Sequence, residues 1–189
     1  MKLPILIVML GAVSACGGSG GGGPTVAQPL AVSPATPVSG TPGSPGSSAP
    51  PPAPNTLPGP PGGVDNVTFE GLLNNVRLAN SAAPVAFDSR LGSAAQKHAG
   101  DMLANGYFSH TGLNGSSPGD RITAEGYQWR AYGENIAQGQ TSQAQVLNAW
   151  TNSPGHHANN INPNFEDFGL GKAGSGSSTR WVLVLASER

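Results

Sequence analysis

Residues 17–63 carry 12 glycines, 13 prolines and not one charged side chain in 47 positions. A stretch of that composition has too little aliphatic surface to offset an ordering cost of about 1–2 kcal/mol per residue, so it reads as a disordered tether. The foldable chain is thereby confined to residues 64–189, 126 residues within the usual range of a single domain. In that part eight Lys and Arg stand against ten Asp and Glu, a net of 8 − 10 = −2, and no basic cluster is present to neutralise phosphates. The balance argues against nucleic acid as a partner.

The first residues set an expected compartment. Lys2 precedes an apolar run, Leu3 to Val13, of about eleven residues, too short for a bilayer span of roughly twenty but suited to a secretory leader. Val13-Ser14-Ala15-Cys16 resembles the lipobox of bacterial lipoproteins, which implies cleavage after residue 15, acylation of Cys16 and a membrane as partner through that lipid. With Gly17 next, the resemblance implies the outer membrane in a Gram-negative host. The organisation is therefore leader 1–15, lipid-anchored tether 16–63 and domain 64–189. A flexible 47-residue tether spans about 35–40 Å. Cys16 is the only cysteine, so no disulfide staples the domain.

Periodicity gives an α+β domain. Phe69, Leu72, Leu73, Val76 and Ala79 recur at helical spacing, with Thr68 as the candidate cap. A second helix is capped by Asp88, buries Leu91, Ala94, Ala95, His98, Met102 and Leu103, and stops at Gly106, a glycine suited to left-handed backbone. His98 reads as a satisfied histidine at the core edge. Ser117-Pro118 and Ser153-Pro154 look like N-caps followed by proline in the first turn, and Thr141 is the candidate cap of a helix carrying Val146, Leu147 and Trp150. Phe168–Ala173 and Arg180–Ala186 are strand-like and joined by a Gly-Ser turn, a terminal hairpin.

Chemistry gathers in three motifs: Gly106-Tyr107-Phe108-Ser109-His110, Gly133-Glu134-Asn135-Ile136-Ala137, and Trp150-x-x-Ser153-Pro154-Gly155-His156-His157-x-Asn159. Two imidazoles and a carboxylate, His110, His156 and Glu134, form a set that could hold zinc or another divalent cation if the three elements converge. Spacing alone does not bring them together. The plain alternative is a hydrogen-bonded network that only shapes the site. Asn135 and Asn159 suit a role tying irregular chain to backbone, Trp150 and Trp181 suit the core, and Tyr107 with Phe108 suits bracing the turn that presents His110.

The ordered motifs, continued by Asn162-Pro163-x-Phe165, Gly169-x-Gly171 and the Trp181 strand, and preceded by Asn75-x-Arg77 and Asp101-Met102, resemble the bacterial branch of the CAP superfamily. These are the SCP domains, relatives of cysteine-rich secretory proteins, antigen 5 and pathogenesis-related 1 proteins. The resemblance covers nearly all of residues 66–186. It implies a three-layer α-β-α sandwich with a small antiparallel sheet and a cleft lined by His110, His156 and Glu134, with Asn135, Asn159 and Ser153 around it. The second glutamate found in many animal and plant members is replaced by Ser153, so a mechanism needing two carboxylates loses one. His157 stands where many bacterial relatives have arginine and reads as a helix-surface residue. Asn160 replaces an aliphatic residue.

Three functions follow as expectations. The first is an envelope-anchored binding module whose cleft takes a divalent metal, a lipid or sterol-like molecule, or a peptidoglycan component. The second is a metal-dependent hydrolase or protease with zinc on His110 and His156 and Glu134 as ligand or base; no His-Glu-x-x-His helix supports it. A serine variant on Ser109 or Ser153 lacks a nucleophile-elbow motif. The third is a purely structural envelope protein.

Overall fold

The computed structural model describes residues 63–189 and, before them, the backbone of two short strands, β1 (Thr25–Val26) and β2 (Ser33–Pro34). The expected leader, Cys16 and the rest of the expected tether lie outside the described residues.

Asp65, rather than Thr68, caps α1 (Asn66–Ala79): its carboxylate accepts the Thr68 amide at 3.0 Å, and Thr68 sits one turn inside. After β3 (Ala86–Phe87), Asp88 caps α2 (Ser89–Ala104) as expected, accepting the Arg90 and Leu91 amides. Helix α2 buries Leu91, Ala94, Ala95, His98, Ala99 and Met102, and the chain leaves it through Gly106 at φ 67°. The short α3 (Pro118–Ala124) starts with a complete capping box between Ser117 and Asp120. Strand β4 (Trp129–Gln138) follows, then α4 (Gln143–Thr151), α5 (Pro154–Asn160), β5 (Asp167–Ala173) and β6 (Arg180–Glu188). The cap of α4 is Ser142, one residue beyond Thr141.

The sheet runs β1-β4-β6-β5-β3, with β2 also on β4. It is antiparallel except for the two-residue β3, which lies parallel to β5. The terminal hairpin expected from sequence is β5–β6, and β4 completes the long ladder on the other side of β6. Residues 180–187 of β6 are all buried, as a strand covered on both faces must be. One face packs Phe69, Leu73, Trp150, Phe165 and Trp181 with α1 and α4. The other packs Leu91, Ala95, Met102, Ile122 and Ile136 with α2 and α3. The three layers are thus helices, sheet and helices.

The Gly169-x-Gly171 motif explains how closely α2 lies on β5. A Cβ on Gly169 would fall 2.1 Å from the Leu91 carbonyl carbon, and one on Gly171 would fall 2.3 Å from that of Ala95. Two residues on one strand face meet two residues four apart on a helix, so the helix backbone rests directly on the strand. That contact seats the N-terminal half of α2 on β5, and the His110 loop departs from the other end of the same helix.

Among the described residues no helix is long and apolar enough to cross a membrane. The composition of residues 16–63 predicts no regular structure, yet β1 and β2 occur there; backbone pairing requires no apolar side chain, which is what composition measures.

Candidate functional site

Strand alternation divides the residues of the Gly-Glu-Asn motif. On β4, Tyr132, Glu134 and Ile136 point to the α2/α3 layer, while Ala131, Asn135 and Ala137 point to the α1/α4/α5 layer. Glu134 therefore meets the loop after α2, and Asn135 meets α5.

Glu134 is buried, its side chain 1% exposed, and both its oxygens are engaged. His110 Nδ1 lies 2.8 Å from Oε1, and Arg121 Nη2 donates to Oε2 at 2.8 Å. The same Arg121 nitrogen donates to the His110 carbonyl at 3.0 Å, and Nη1 to the Ser116 carbonyl at 3.0 Å. Because the carboxylate ion-paired with Arg121 acts as acceptor, His110 Nδ1 is the donor of this bond. This is the arrangement by which an outer carboxylate orients an imidazole. Arg121 escaped the sequence reading: nothing in its position on a short capped helix separates it from an ordinary surface cation.

The loop presenting His110 is held from four sides. His98 Nε2 lies 2.9 Å from the Ser109 carbonyl, Arg121 takes the His110 carbonyl, and Arg180 Nε donates to the Tyr107 carbonyl at 3.3 Å. Tyr107 Oη donates to Asp101, and burial with that carboxylate pushes the phenol up to about 12. Phe108 lies beneath the Arg180 guanidinium. The bracing expected of Tyr107 and Phe108 is present, and His98 is the buried, bonded core-edge residue that its spacing predicts. Burial, partly opposed by the charge of Glu134, holds the His98 imidazole below its ordinary range.

On the opposite side of β4, Asn135 Nδ2 donates to the His156 carbonyl at 3.1 Å and to Asn160 Oδ1 at 2.9 Å. Asn159 Nδ2 donates to Asn135 Oδ1 at 2.9 Å and, at 3.5 Å, to the Glu134 carbonyl. These are the backbone ties expected of the two asparagines. Asn160, for which the sequence offers no reason, is a buried partner of Asn135. Ser153 occupies the cap position of α5 but makes no capping bond; its hydroxyl is 2.7 Å from His156 Nδ1. The end of α5 is fixed by buried Arg77, which donates to the carbonyls of Asn160, Asn162 and Phe165.

The two sides are tied through backbone: His110 meets the Glu134 carboxylate, Asn159 bonds the Glu134 carbonyl and Asn135, Asn135 bonds the His156 carbonyl, and Ser153 meets the His156 imidazole. Within the expected metal set, His110 and Glu134 are in direct side-chain contact. Among the described residues no three His, Cys, Asp or Glu side chains are grouped so as to hold a metal ion. Glu134 does not suit the role of ligand, since a dication there would displace His110 or Arg121 and face the guanidinium. The imidazoles keep the donor type that zinc prefers.

Comparison with known proteins agrees with this architecture. The CAP, cysteine-rich secretory protein, family matches residues 71–185, 115 of the 189. The uncharacterized protein YkwD of Bacillus subtilis (strain 168) is 38% identical over 106 residues, 56% of this chain and 41% of that protein. An extracellular protein containing a SCP domain from Bacillus anthracis superposes with a TM-score of 0.60 at 27% identity, over 65% of this chain and 40% of that one. An outer surface protein of Borrelia burgdorferi has the same fold, with a TM-score of 0.60 at 22% identity over 67% of this chain and 98% of that one. The chain spans about two fifths of the length of the first two of these proteins. With a family match over more than half its length and the three-layer fold, the chain belongs to the CAP, cysteine-rich secretory protein, family.

Proposed function

We propose that the protein is an exported, envelope-anchored binding module rather than an enzyme, and that it takes an envelope ligand through the His110 side of the site. One observation carries the reading: both oxygens of Glu134 are committed, to His110 and to Arg121, at a side chain 1% exposed. A general base needs a lone pair within reach of substrate, and here that carboxylate is spent on orienting an imidazole. With the Glu134 carboxylate matched by Arg121 and His110, the site suits a hydrogen-bonding ligand portion, such as a lipid or sterol-like hydroxyl or a peptidoglycan sugar or amide. His110, 13% exposed at its side chain, is the member that offers a contact. Export and anchoring rest on the leader-like residues 1–15 and Cys16, supported by relatives described as extracellular and outer surface proteins.

The test uses the full chain with Cys16→Ser, which removes acylation. Co-sedimentation with sterol-containing vesicles or with purified peptidoglycan is expected for this chain and lost with His110→Ala. Equal sedimentation of both contradicts the reading. For anchoring, wild type is expected with membranes and Cys16→Ser in the soluble fraction.

The pairing of His110 Nδ1 with Glu134 favours a second reading, in which His110 and His156 hold a zinc ion and Glu134 stands behind His110. Zinc there would polarise a ligand oxygen. Calorimetric titration of the full chain decides: this reading requires saturable binding that is lost in the double His→Ala variant and weakened below about pH 6.

A further inference from the structure

Charge is distributed unevenly over the domain. Residues 64–189 hold 18 Asp, Glu, Lys and Arg, yet the 31 residues 135–165, from within β4 through α4 and α5, hold none; at 18 in 126, about four would stand there. Helix α1, on the same side of the sheet, adds two. Arg77 is buried on backbone carbonyls, and Glu70 Oε2 accepts the Phe87 amide at 3.2 Å. The α2/α3 side, by contrast, carries Arg90, Lys97, Asp101, Asp120 and Arg121.

In place of charge, the outward face of this layer presents carboxamides. Along α4 and its C-terminal cap, Gln145, Asn148 and Asn152 are exposed at steps of three and four residues, a row about 10 Å long. Local bonds hold the row in place. Gln145 Oε1 accepts the Thr141 amide at 3.0 Å and the Thr141 hydroxyl at 2.8 Å, and Asn148 Oδ1 accepts from Asn152 Nδ2 at 3.1 Å. Gln145 and Asn148 thus use their oxygens locally and keep their amide N–H groups for a partner, with Asn152 Oδ1 beside them as an acceptor. Gln143 Nε2 donates to the Asp65 carbonyl at 2.9 Å and joins the start of α4 to that of α1. On α1 the exposed stripe is Thr68, Gly71, Asn75 and Leu78.

We propose that this face of α1 and α4 binds an uncharged polysaccharide, hydrogen-bonding its hydroxyl or acetamido groups through the row Gln145, Asn148 and Asn152. Sugar hydroxyls donate and accept, as carboxamides do, and side chains already fixed by local bonds lose little freedom on binding. Val67 and Leu78, three helical turns apart and exposed, offer apolar contact to the C–H faces of the rings. Other partner classes fit less well. Among the described residues of α1, α4 and α5 there is no exposed Trp, Tyr, Phe, Lys or Arg. Protein interfaces centre on aromatic and arginine anchors, and anionic lipid surfaces attract basic side chains. This surface goes beyond the His110 reading, since His110 and the Glu134 carboxylate lie on the opposite side of β4.

Retention of the full chain with Cys16→Ser on insoluble chitin and cellulose, two uncharged probes, tests the proposal. The chain is expected to be retained on at least one of them, equally at low and high salt, because no ion pair is involved. Gln145→Glu with Asn148→Asp keeps the shape and the acceptor oxygens of the row and removes its outward N–H donors, so retention is expected to fall at least tenfold. His110→Ala is expected to be retained like its parent, which separates this surface from the His110 site. No retention on either probe, retention lost at high salt, or equal retention of the double variant overturns the proposal. Retention by phosphatidylcholine vesicles in place of the polysaccharides makes the face a lipid-docking surface and overturns it as well.

Discussion

Arg121 Nη2 lies 2.8 Å from Glu134 Oε2, on the one carboxylate oxygen that His110 does not use. A cation on α3 and an anion on β4 are brought together where the glutamate side chain is 1% exposed and the arginine 13%. Removing one partner of such a buried pair leaves the other charge uncompensated, whereas removing both does not. Arg121→Met is expected to cost about 3–5 kcal/mol. Arg121→Met combined with Glu134→Gln is expected to cost less than the sum of the two single changes. Urea denaturation of the four proteins of the cycle measures this, and additive costs contradict the pairing.

His98 links acidity to the shape of the site. Burial holds its imidazole below the ordinary value of about 6.5, which the unfolded chain retains. Below that pH the unfolded state takes up a proton that the folded ring resists, so stability present above about pH 6.5 is lost as the pH falls through and below it. His98→Gln keeps a donor for the Ser109 carbonyl without a titrating group. Its melting temperature is expected to fall less between pH 7 and pH 5 than that of the wild type. Parallel declines contradict this assignment.

The rest of α2 on β5 gives the steepest packing prediction. At Gly169 an added methyl meets helix backbone at 2.1 Å, and backbone cannot rotate away as a side chain can. Gly169→Ala is expected to destabilise by at least the 1–3 kcal/mol usual for overpacking, and Gly100→Ala, which meets nothing within 4 Å, not to destabilise. Chemical denaturation of both variants supplies the comparison.

Much of this architecture is legible in sequence where one residue decides a local outcome. Asp88, Ser117-Pro118 and Gly106 stop or start helices through their own side chains or backbone freedom, and each does so here. Thr68 and Thr141 miss because a neighbouring Asp65 or Ser142 offers a better placed oxygen, a difference of one to three residues that periodicity does not resolve. Strand β4 is hidden by its composition: Gly133, Glu134 and Asn135 are poor strand formers, kept in place by β6 and by the helices on both faces. Arg121 is illegible for the same kind of reason. Its role depends on a carboxylate thirteen residues later reaching it from another element, and nothing local to α3 encodes that meeting.

Native mass spectrometry of the full chain, purified under mild conditions, tests the proposed binding module most directly. Wild-type protein is expected to carry an additional non-protein mass that is absent from His110→Ala and present in His157→Ala. The same bare mass for wild type and His110→Ala, or the same added mass on both, contradicts a ligand held through His110.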